Sequence, residues 1–277
     1  MTALRVENLK KRYPRFALNV GFSVEEGHIC GLIGANGAGK STTIKAILNL
    51  ISSEGTVEAY GISLRRGERN AKEIIGYCAG GFRYYPRKSL SEIARAVSAF
   101  YRNWSETDFT KYLTQFNLDK NKRVAELSDG MKVKFSLALA LSHGAKLLVL
   151  DEPTSGLDPL SREEFADLSL SLVKEKRVTV LFSTHVTSDL TCLADDIVYI
   201  ANGRVIADEP LSSLMQTYDI AEFDEEPDGE KGLIGLKKGK NGYRALIKRG
   251  ETTANARRRS ATLDDIMIHL EYDGRKK

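Results

Sequence analysis

Long apolar segments are missing from this sequence of 277 residues. A helix that crosses a bilayer needs about 20 consecutive apolar residues. The best candidate, FSLALALSHGAKLLVLDEP, is interrupted by Ser142, His143, Gly144 and Lys146. The opening stretch, MTALRVENLKKRY, also lacks the apolar centre of a secretory signal. These absences predict a cytoplasmic chain with no membrane span of its own.

The sequence also has few cysteines and no large excess of charge of either sign. Cys30, Cys78 and Cys192 are odd in number and widely spaced in apolar segments. This pattern argues against a disulfide framework or a zinc site and predicts buried, reduced thiols. The formal net charge of +4 is mild for a chain that is 42% hydrophobic and 28% charged. Such a charge neither requires nucleic acid nor excludes contact with an anionic membrane.

What the sequence does contain is an alternation of strand and helix patterns. ALRVENLKKRY and FALNVGFSVEEG alternate apolar and polar residues, as half-buried antiparallel strands do. HICGLIG is a continuous apolar run, typical of a strand covered on both faces, and a helical pattern follows it. KLLVLDEP, RVTVLFSTH and DIVYIANG repeat this alternation later. The whole predicts an α/β fold with a mainly parallel sheet and crossover helices.

Two regions depart from the alternation. Residues 84–142 carry only helical patterns, and two of these open with serines in capping positions. The tail from about residue 211 predicts two strands around a Lys-Asn-Gly turn and a final helix in ATLDDIMIHLEY. We therefore expect a core at 1–83 and 143–210, a helical subdomain at 84–142, and a C-terminal α+β accessory domain at 211–277.

GANGAGKS, residues 34–41, matches the P-loop pattern G-x-x-x-x-G-K-S in full. Its glycines let successive backbone N–H groups point at phosphate oxygens, and the following helix adds its positive end. Lys40 can reach the β- and γ-phosphates, and the Ser41 hydroxyl can coordinate Mg²⁺. The position between a strand and a helix makes a plain glycine turn a weak alternative.

A second chemical motif is LLVLDE, residues 147–152, an apolar strand that ends in two acids. Asp151 at the strand end suits a direct or indirect Mg²⁺ contact. Glu152 can polarise an attacking water. A strand that merely ends in a charged turn would be the simpler interpretation if no P-loop preceded it.

The order and spacing of the P-loop, LSDG, LLVLDEPTSGLDP and LFSTH resemble the nucleotide-binding subunit of an ABC transporter over about residues 1–210. This resemblance implies a P-loop NTPase (RecA-like) core with an antiparallel β subdomain and an inserted helical subdomain. It also implies ATP and Mg²⁺ as cofactors. The implied catalytic residues are Lys40, Glu152 as base and His185 as the switch histidine, and the implied metal ligands are Ser41 and Asp151. The implied ATP contacts are Tyr13, Gly34, Asn36, Gly37, Ala38, Gly39, Lys40, Ser41 and Thr42.

Two further groups of residues follow from the resemblance. Ser128 and Gly130 would face the γ-phosphate of a partner subunit, and the loop from Ser155 to Asp158 would meet that partner. Each of two residues has a simpler alternative role. Tyr13 could be an ordinary tyrosine at the end of a strand, and His185 could be an ordinary histidine whose hydrogen bonds are satisfied within the protein. The sequence departs from the family at Gly80, where the family usually has a glutamine. That glutamine links the ATP site to the membrane partner, so the usual coupling between the two is in doubt. The sequence departs again at Asp129 and Met131 in LSDGM; Asp129 is expected to point away from the nucleotide, with Lys132 and Lys134 offsetting its charge.

LSDGMK, FYRNW and the terminal LDDIMIHLE are similar to a narrower group, the exporters of antimicrobial or amphipathic peptides. The resemblance implies a separate integral membrane permease, a second ATPase subunit and a peripheral place on the cytoplasmic face of the membrane. GGFRYYPRKS, residues 80–89, is the candidate docking surface, and an ordinary loop is the alternative there. A soluble ABC ATPase acting on ribosomes or DNA and a hydrolysis-poor partner in a heteromeric transporter are the competing functions. We expect no nucleic-acid partner, because the chain has one P-loop and no heptad run.

Overall fold

The chain forms two compact units, Met1–Asp208 and Glu209–Lys277, in a computed structural model. The structure describes residues 1–79, 84–228, 230–240, 242–251 and 256–276, with backbone alone at 274–276. Each unit has a sheet and helices of its own.

Ten strands of the described residues form the large sheet, in the order β5-β4-β1-β2-β10-β9-β3-β8-β7-β6. They are β1 Thr2–Tyr13, β2 Phe16–Glu25, β3 Ile29–Ile33, β4 Glu54–Ala59, β5 Ile62–Ser63, β6 Ile75–Ala79, β7 Leu147–Asp151, β8 Thr179–Thr184, β9 Asp196–Ala201 and β10 Arg204–Pro210.

The sheet combines a parallel and an antiparallel part. Strand β3 pairs in parallel with β8 and β9, and β7 pairs in parallel with β6 and β8. Strand β1 pairs antiparallel with β2 and β4. Every residue of β3, β7 and β8 is buried, as in strands covered on both faces. The predicted parallel sheet and antiparallel first strands are therefore confirmed.

Seven α-helices and a short 3-10 helix, Val124–Glu126, accompany this sheet among the described residues. The α-helices are α1 Lys40–Ile47, α2 Glu68–Glu73, α3 Leu90–Ser98, α4 Glu106–Gln115, α5 Asp129–Ser142, α6 Pro159–Lys176 and α7 Thr187–Leu193. Helix α1 packs against β1, β2 and β7, and its Ile44 and Ile47 are fully buried. Helices α6 and α7 pack on each other and on β8. The carboxyl ends of β7 and β8 meet the start of α1, where the Asp151 side chain accepts hydrogen bonds from Ser41 and Ser183.

Helices α3, α4 and α5 occupy the predicted helical region. Ser89 starts α3 in a capping box with Glu92, and Ser105 caps α4 by accepting a hydrogen bond from Asp108 N. Helix α5 packs on α4 and β6, with Phe109 and Phe135 in edge-to-face contact. None of the helices in the described part of the chain combines the length and the apolar character that a bilayer crossing requires.

The second unit is a four-stranded antiparallel sheet with helices. Its elements are α8 Leu211–Thr217, β11 Tyr218–Phe223, β12 Ile234–Gly239, β13 Gly242–Lys248, β14 Arg257–Ser260 and α9 Leu263–Lys276. The strand order is β12-β13-β11-β14, and α9 packs on β12 and β13. The predicted pair of strands and the final helix are present, whereas α8, β11 and β14 were not predicted.

The cysteine prediction is right for two of the three thiols. Cys30 and Cys78 are buried, and burial raises the pKa of both, that of Cys78 to about 12. Cys192 is exposed, so its predicted burial is wrong. The reason is the helical period of α7, which buries Leu190 and Leu193 and turns the intervening Cys192 outward.

Candidate functional site

A glycine-rich loop joins β3 to α1. A side chain at Gly34 would lie 2.2 Å from the carbonyl oxygen of Ile200, so only glycine fits there. Gly37 and Gly39 have positive φ angles of 83° and 119°, which glycine adopts without strain. The loop thus delivers its backbone N–H groups to the N-terminal end of α1, an arrangement that binds anions.

Lys40, the first residue of α1, is held inside this loop. Its ammonium donates to the carbonyl oxygen of Gly34 at 2.7 Å and to that of Ala35 at 3.3 Å. It also lies 3.4 Å from Glu152 Oε1. Only 5% of Lys40 is exposed, so this cation is a buried charge that is compensated by one carboxylate and two carbonyls.

Asp151 lies at the carboxyl end of β7, directly beside the start of α1. Its Oδ1 accepts hydrogen bonds from Ser41 Oγ at 3.0 Å and from Ser183 Oγ at 2.7 Å. Ser183 also accepts from the backbone N–H of Glu152 at 2.9 Å. Adjacent strands β7 and β8 therefore fix the carboxylate, and Ser183 is a positioning residue that sequence reasoning missed.

Glu152 follows Asp151 with a φ angle of 52°, in the left-handed region that few side chains adopt. Such strain persists only where the surroundings impose it, and it is frequent at functional sites. This backbone conformation directs the Glu152 carboxylate towards two side chains, Lys40 and His185. Oε1 faces Lys40, and Oε2 is 2.7 Å from His185 Nδ1 at the end of β8.

These groups surround one cavity of about 520 Å³. The lining residues are Tyr13, Phe16, Ala35, Asn36, Gly37, Gly39, Lys40, Ser41, Thr42, Glu152, Ser155 and His185. Three further residues with implied roles lie behind the surface: Gly34 and Asp151 hydrogen-bond to residues of the lining, and Ala38 is buried. The structure thus brings together the residues for which ATP binding and catalysis are implied.

Two aromatic rings form the apolar wall of the cavity. Tyr13 and Phe16 face each other across the turn between β1 and β2, and their ring centroids are 6.4 Å apart. Tyr13 is 44% exposed, and the ammonium of Lys11 lies 5.4 Å from the centroid of its ring. Phe16 was missed from the sequence, although the register of the hairpin pairs it directly with Tyr13.

The implied dimer loop lies between this cavity and α6. Ser155 lines the cavity, and Asp158 caps α6 by accepting hydrogen bonds from the backbone N–H and the hydroxyl of Ser161. These bonds from Ser161 lower the pKa of Asp158. Asp158 therefore fixes the start of α6 and does not line the cavity described here.

The LSDG stretch lies at the start of α5. Ser128 Oγ accepts from Met131 N at 3.2 Å as the helix cap, which leaves its O–H to donate elsewhere. A side chain at Gly130 would lie 3.0 Å from Ser161 Oγ, so this glycine allows α5 to approach α6 closely. Among the described residues that line the cavity, neither Ser128 nor Gly130 occurs.

Asp129 is 64% exposed and forms an ion pair with Lys132 at 2.8 Å. Lys134 instead pairs with Glu164 of α6 at 2.7 Å, so the expectation that it also offsets Asp129 is wrong. Gly80, the departure from the family glutamine, lies outside the described residues. So do residues 81–83 of the expected docking surface, although Tyr85 beyond them is 79% exposed.

The arrangement suits a nucleotide with a bound Mg²⁺. The loop N–H groups and Lys40 match phosphate oxygens, and the two aromatic rings match a base. Ser41 and Asp151 place two hard oxygen atoms 3.0 Å apart at the phosphate end. Mg²⁺ needs few protein ligands when substrate phosphates complete its octahedron, so this small donor set fits the ion.

Comparison with known proteins agrees with this geometry. The family model described as ABC transporter matches residues 17–155. A bacitracin transport ATP-binding protein of Bacillus licheniformis is 31% identical over 220 residues, which cover 77% of this chain and 71% of that protein. A lantibiotic transport ATP-binding protein of Streptococcus pyogenes is 33% identical over 212 residues, which cover 74% and 90%.

Solved structures show the same fold. An ATP-binding subunit of an ABC transporter is 31% identical, has a TM-score of 0.68, and aligns over 76% of this chain and 91% of its own. A dimeric ATP-binding cassette in a post-hydrolysis state with ADP and phosphate has a TM-score of 0.65 at 23% identity, covering 75% and 98%.

Proposed function

Because the chain belongs to the ATP-binding subunits of ABC transporters, we propose that it binds Mg²⁺-ATP in the cavity beside α1 and hydrolyses it with Glu152 as general base. The observation that carries the proposal is the convergence of Lys40, Ser41, Glu152 and His185 on that one cavity. The family and the fold class expected from the sequence are confirmed. The roles of individual residues remain proposals.

Nucleotide binding would change the partners of Lys40 first. Its ammonium now contacts two loop carbonyls and Glu152, and ionised phosphate oxygens are stronger acceptors than the two neutral carbonyls. Ser41 and Asp151 would hold Mg²⁺, which when bound neutralises charge on the phosphate oxygens. Once Lys40 turns to the phosphates, Glu152 is free to accept a proton from an attacking water.

His185 would position both the base and the phosphate. Its Nδ1 is 2.7 Å from Glu152 Oε2, which leaves Nε2 on the other edge of the ring to face a γ-phosphate. A hydrogen bond through Nδ1 fixes the ring orientation, and thereby aims the second nitrogen. We assign His185 to phosphate contact and to orientation of Glu152.

A second ATPase subunit would complete the site. Ser128 and Gly130 do not line the cavity described for their own chain, and Ser128 retains an O–H that can donate to a phosphate. Gly130 packs beside Ser161, which Asp158 also holds, so the LSDG stretch and the dimer loop form one continuous surface. We propose that this surface closes on the nucleotide of a partner subunit.

Transport would require a separate integral membrane permease. We place the chain at the cytoplasmic face of the membrane, bound to that permease, with residues 84–89 in the docking surface; Tyr85 there is 79% exposed. The names of two similar proteins point to the cargo, since they are described as bacitracin and lantibiotic transport proteins. We therefore propose export of antimicrobial or amphipathic peptides.

Hydrolysis is tested with Glu152→Gln, which keeps the shape of the side chain and removes the base. The expected result is a loss of ATP turnover of about 10²-fold or more, with ATP binding retained. Glu175→Gln, an exposed position on the same protein, is the matched control and should keep full turnover. Retained turnover in Glu152→Gln would contradict the assignment of the base.

The cargo is tested in a bacterial host that is sensitive to bacitracin and lantibiotics. The host expresses this chain together with the membrane protein that co-purifies with it. We expect a raised inhibitory concentration of bacitracin or a lantibiotic, and no protection with Glu152→Gln. Equal protection by both forms would exclude ATP-driven export. Co-purification with ribosomes or DNA instead of a polytopic membrane protein would favour the soluble ATPase.

A further inference from the structure

A second cavity, of about 760 Å³, lies between α6 and α7, and we call it the α6–α7 groove. Its size falls in the range of small-molecule sites, about 300–1,000 Å³. The lining residues are Thr154, Leu157, Pro159, Arg162, Glu163, Ala166, Asp167, Leu170, Ser188, Asp189, Cys192 and Leu193. Thr154 and Leu157 come from the loop between β7 and α6, and no residue lines both this groove and the nucleotide cavity.

Half of the lining residues are apolar, and some of these face solvent. Leu170 is 45% exposed on α6, and Ala166 lies one turn earlier on the same side. Leu157, Pro159 and Leu193 complete the apolar lining. Covering such apolar surface with an apolar group of a ligand removes it from water and therefore favours binding.

The charges in the groove favour a cation. Glu163 and Asp167 are exposed, lie one helical turn apart, and form no hydrogen bond or ion pair within the described part of the chain. Two like charges at this spacing repel each other. The one guanidinium in the groove is already engaged: Arg162 donates to the carbonyl oxygen of Leu157 at 3.2 Å and lies 3.7 Å from Asp189.

We propose that the α6–α7 groove binds a hydrophobic monocation, an alkyl or aryl ammonium, with its apolar body on Leu170 and Ala166 and its charge between Glu163 and Asp167. The carboxylates of Glu163 and Asp167 would each lose a repulsive neighbour and gain an opposite charge. An anionic ligand of the same shape would meet the uncompensated carboxylates and bind worse.

The test uses Cys192, which lines the groove and is the exposed thiol among the three cysteines. The rate of its alkylation by iodoacetamide is measured by mass spectrometry on the full chain without nucleotide, so that the result does not depend on ATP hydrolysis. The probe is hexyltrimethylammonium, which cannot react with the reagent. Hexanoate and 1-hexanol, of equal chain length, are the comparison ligands.

We expect hexyltrimethylammonium to slow Cys192 alkylation in a saturable way, at lower concentration than 1-hexanol, and hexanoate to give no protection. In the double variant Glu163→Gln/Asp167→Asn, the concentration for half protection should rise about fivefold, the effect of losing two partly exposed ion pairs. Glu175→Gln should behave as the unsubstituted chain. Unmodified Cys30 and Cys78 report that each variant is folded.

Three outcomes would overturn the proposal. They are no protection of Cys192 by hexyltrimethylammonium, equal protection by hexanoate, and an unchanged half-protecting concentration in the double variant. Each of these leaves the assignment of the nucleotide cavity untouched, since no residue of that cavity is substituted.

Discussion

At the scale of single residues, Asp189 connects the two loops that carry Glu152 and His185. It is 8% exposed, and its Oδ2 accepts from Thr154 Oγ1 at 2.5 Å and from Thr184 Oγ1 at 3.3 Å. Thr154 is two residues beyond Glu152, and Thr184 directly precedes His185. The hydroxyl of Thr154 therefore positions the proposed base without contacting the cavity.

Replacing Thr154 by valine should lower kcat for ATP about tenfold, because the loop after Glu152 loses an anchor and small displacements of catalytic groups are costly. KM for ATP should change less than about twofold, since the phosphate loop and Lys40 are untouched. Thr154→Ser keeps the hydroxyl and should restore kcat. Equal kcat values for the valine and serine variants would show that the bond to Asp189 has no positioning role.

Asp129 raises the question of why an acid stands next to a proposed phosphate contact. The ion pair with Lys132 and its high exposure indicate that its charge is compensated and hydrated. Asp129→Gly should therefore change the affinity of ATP-driven dimerisation by less than about threefold, because exposed pairs contribute little. Analytical ultracentrifugation in the Glu152→Gln background measures this. A tightening above about tenfold, ~1.4 kcal/mol, would mean that the acid weakens the signature.

At the scale of elements, α9 begins with a reciprocal cap. Thr262 Oγ1 accepts from Asp265 N, and Asp265 Oδ2 accepts from Thr262 N at 3.0 Å. Arg259 of β14 adds a two-point contact to the same carboxylate, at 2.6 and 3.1 Å. Burial raises the pKa of Asp265, but the bonds from Arg259 and Thr262 outweigh it and lower the pKa to about 2.

This lowered pKa predicts a pH-dependent contribution of Asp265 to stability. A carboxyl with a lower pKa in the folded state stabilises it above the unfolded pKa, about 3.9, and loses that effect as pH falls through about 2. We expect Asp265→Asn to reduce the free energy of unfolding by about 1 kcal/mol at pH 7, after solvent screening. The difference should shrink between about pH 4 and pH 2 in denaturant titrations. If the difference in unfolding free energy between the two proteins stayed constant over that range, the lowered pKa of Asp265 would be contradicted.

Elements with strong local signals could be predicted from the sequence, and weak ones could not. The caps at Ser89 and Ser105 and the apolar strands β3, β7 and β8 each carry a local pattern that fixes their type. Strand β14, by contrast, is Arg-Arg-Arg-Ser, with every residue exposed, so it has no alternation to detect. It forms because β11 offers an edge and the carboxylates of Glu222 and Asp265 hold Arg259.

At the scale of the whole molecule, the nucleotide cavity depends on contacts between distant segments. The P-loop and the acids after β7 were predictable because each is a continuous motif. Phe16 and Ser183 were not, because their role depends on strand register: Phe16 pairs with Tyr13, and Ser183 pairs with Asp151 across β7 and β8. Asp189 was not predicted because its role depends on two hydroxyl partners, Thr154 and Thr184, that are distant from each other in the sequence.

If a partner subunit completes the nucleotide site, variants that damage opposite halves of that site should complement each other. Ser128→Asp keeps a side chain that caps helices well, so α5 should form, but it sets a carboxylate where a partner's phosphate would approach. Lys40→Ala removes the phosphate contact in the subunit's own cavity. Each variant alone should lose most ATP turnover, for different reasons.

An equimolar mixture of the two variants should regain about a quarter of the wild-type rate, because about half of randomly formed dimers are mixed and each has one complete site out of two. Turnover is measured on purified chains. Ser105→Asp, which changes the cap of α4 in the same way, serves as control and should keep full activity without mixing. If the mixture stays as inactive as its components, Ser128 does not act on the nucleotide of a second copy, and the closed site must be built with a different partner.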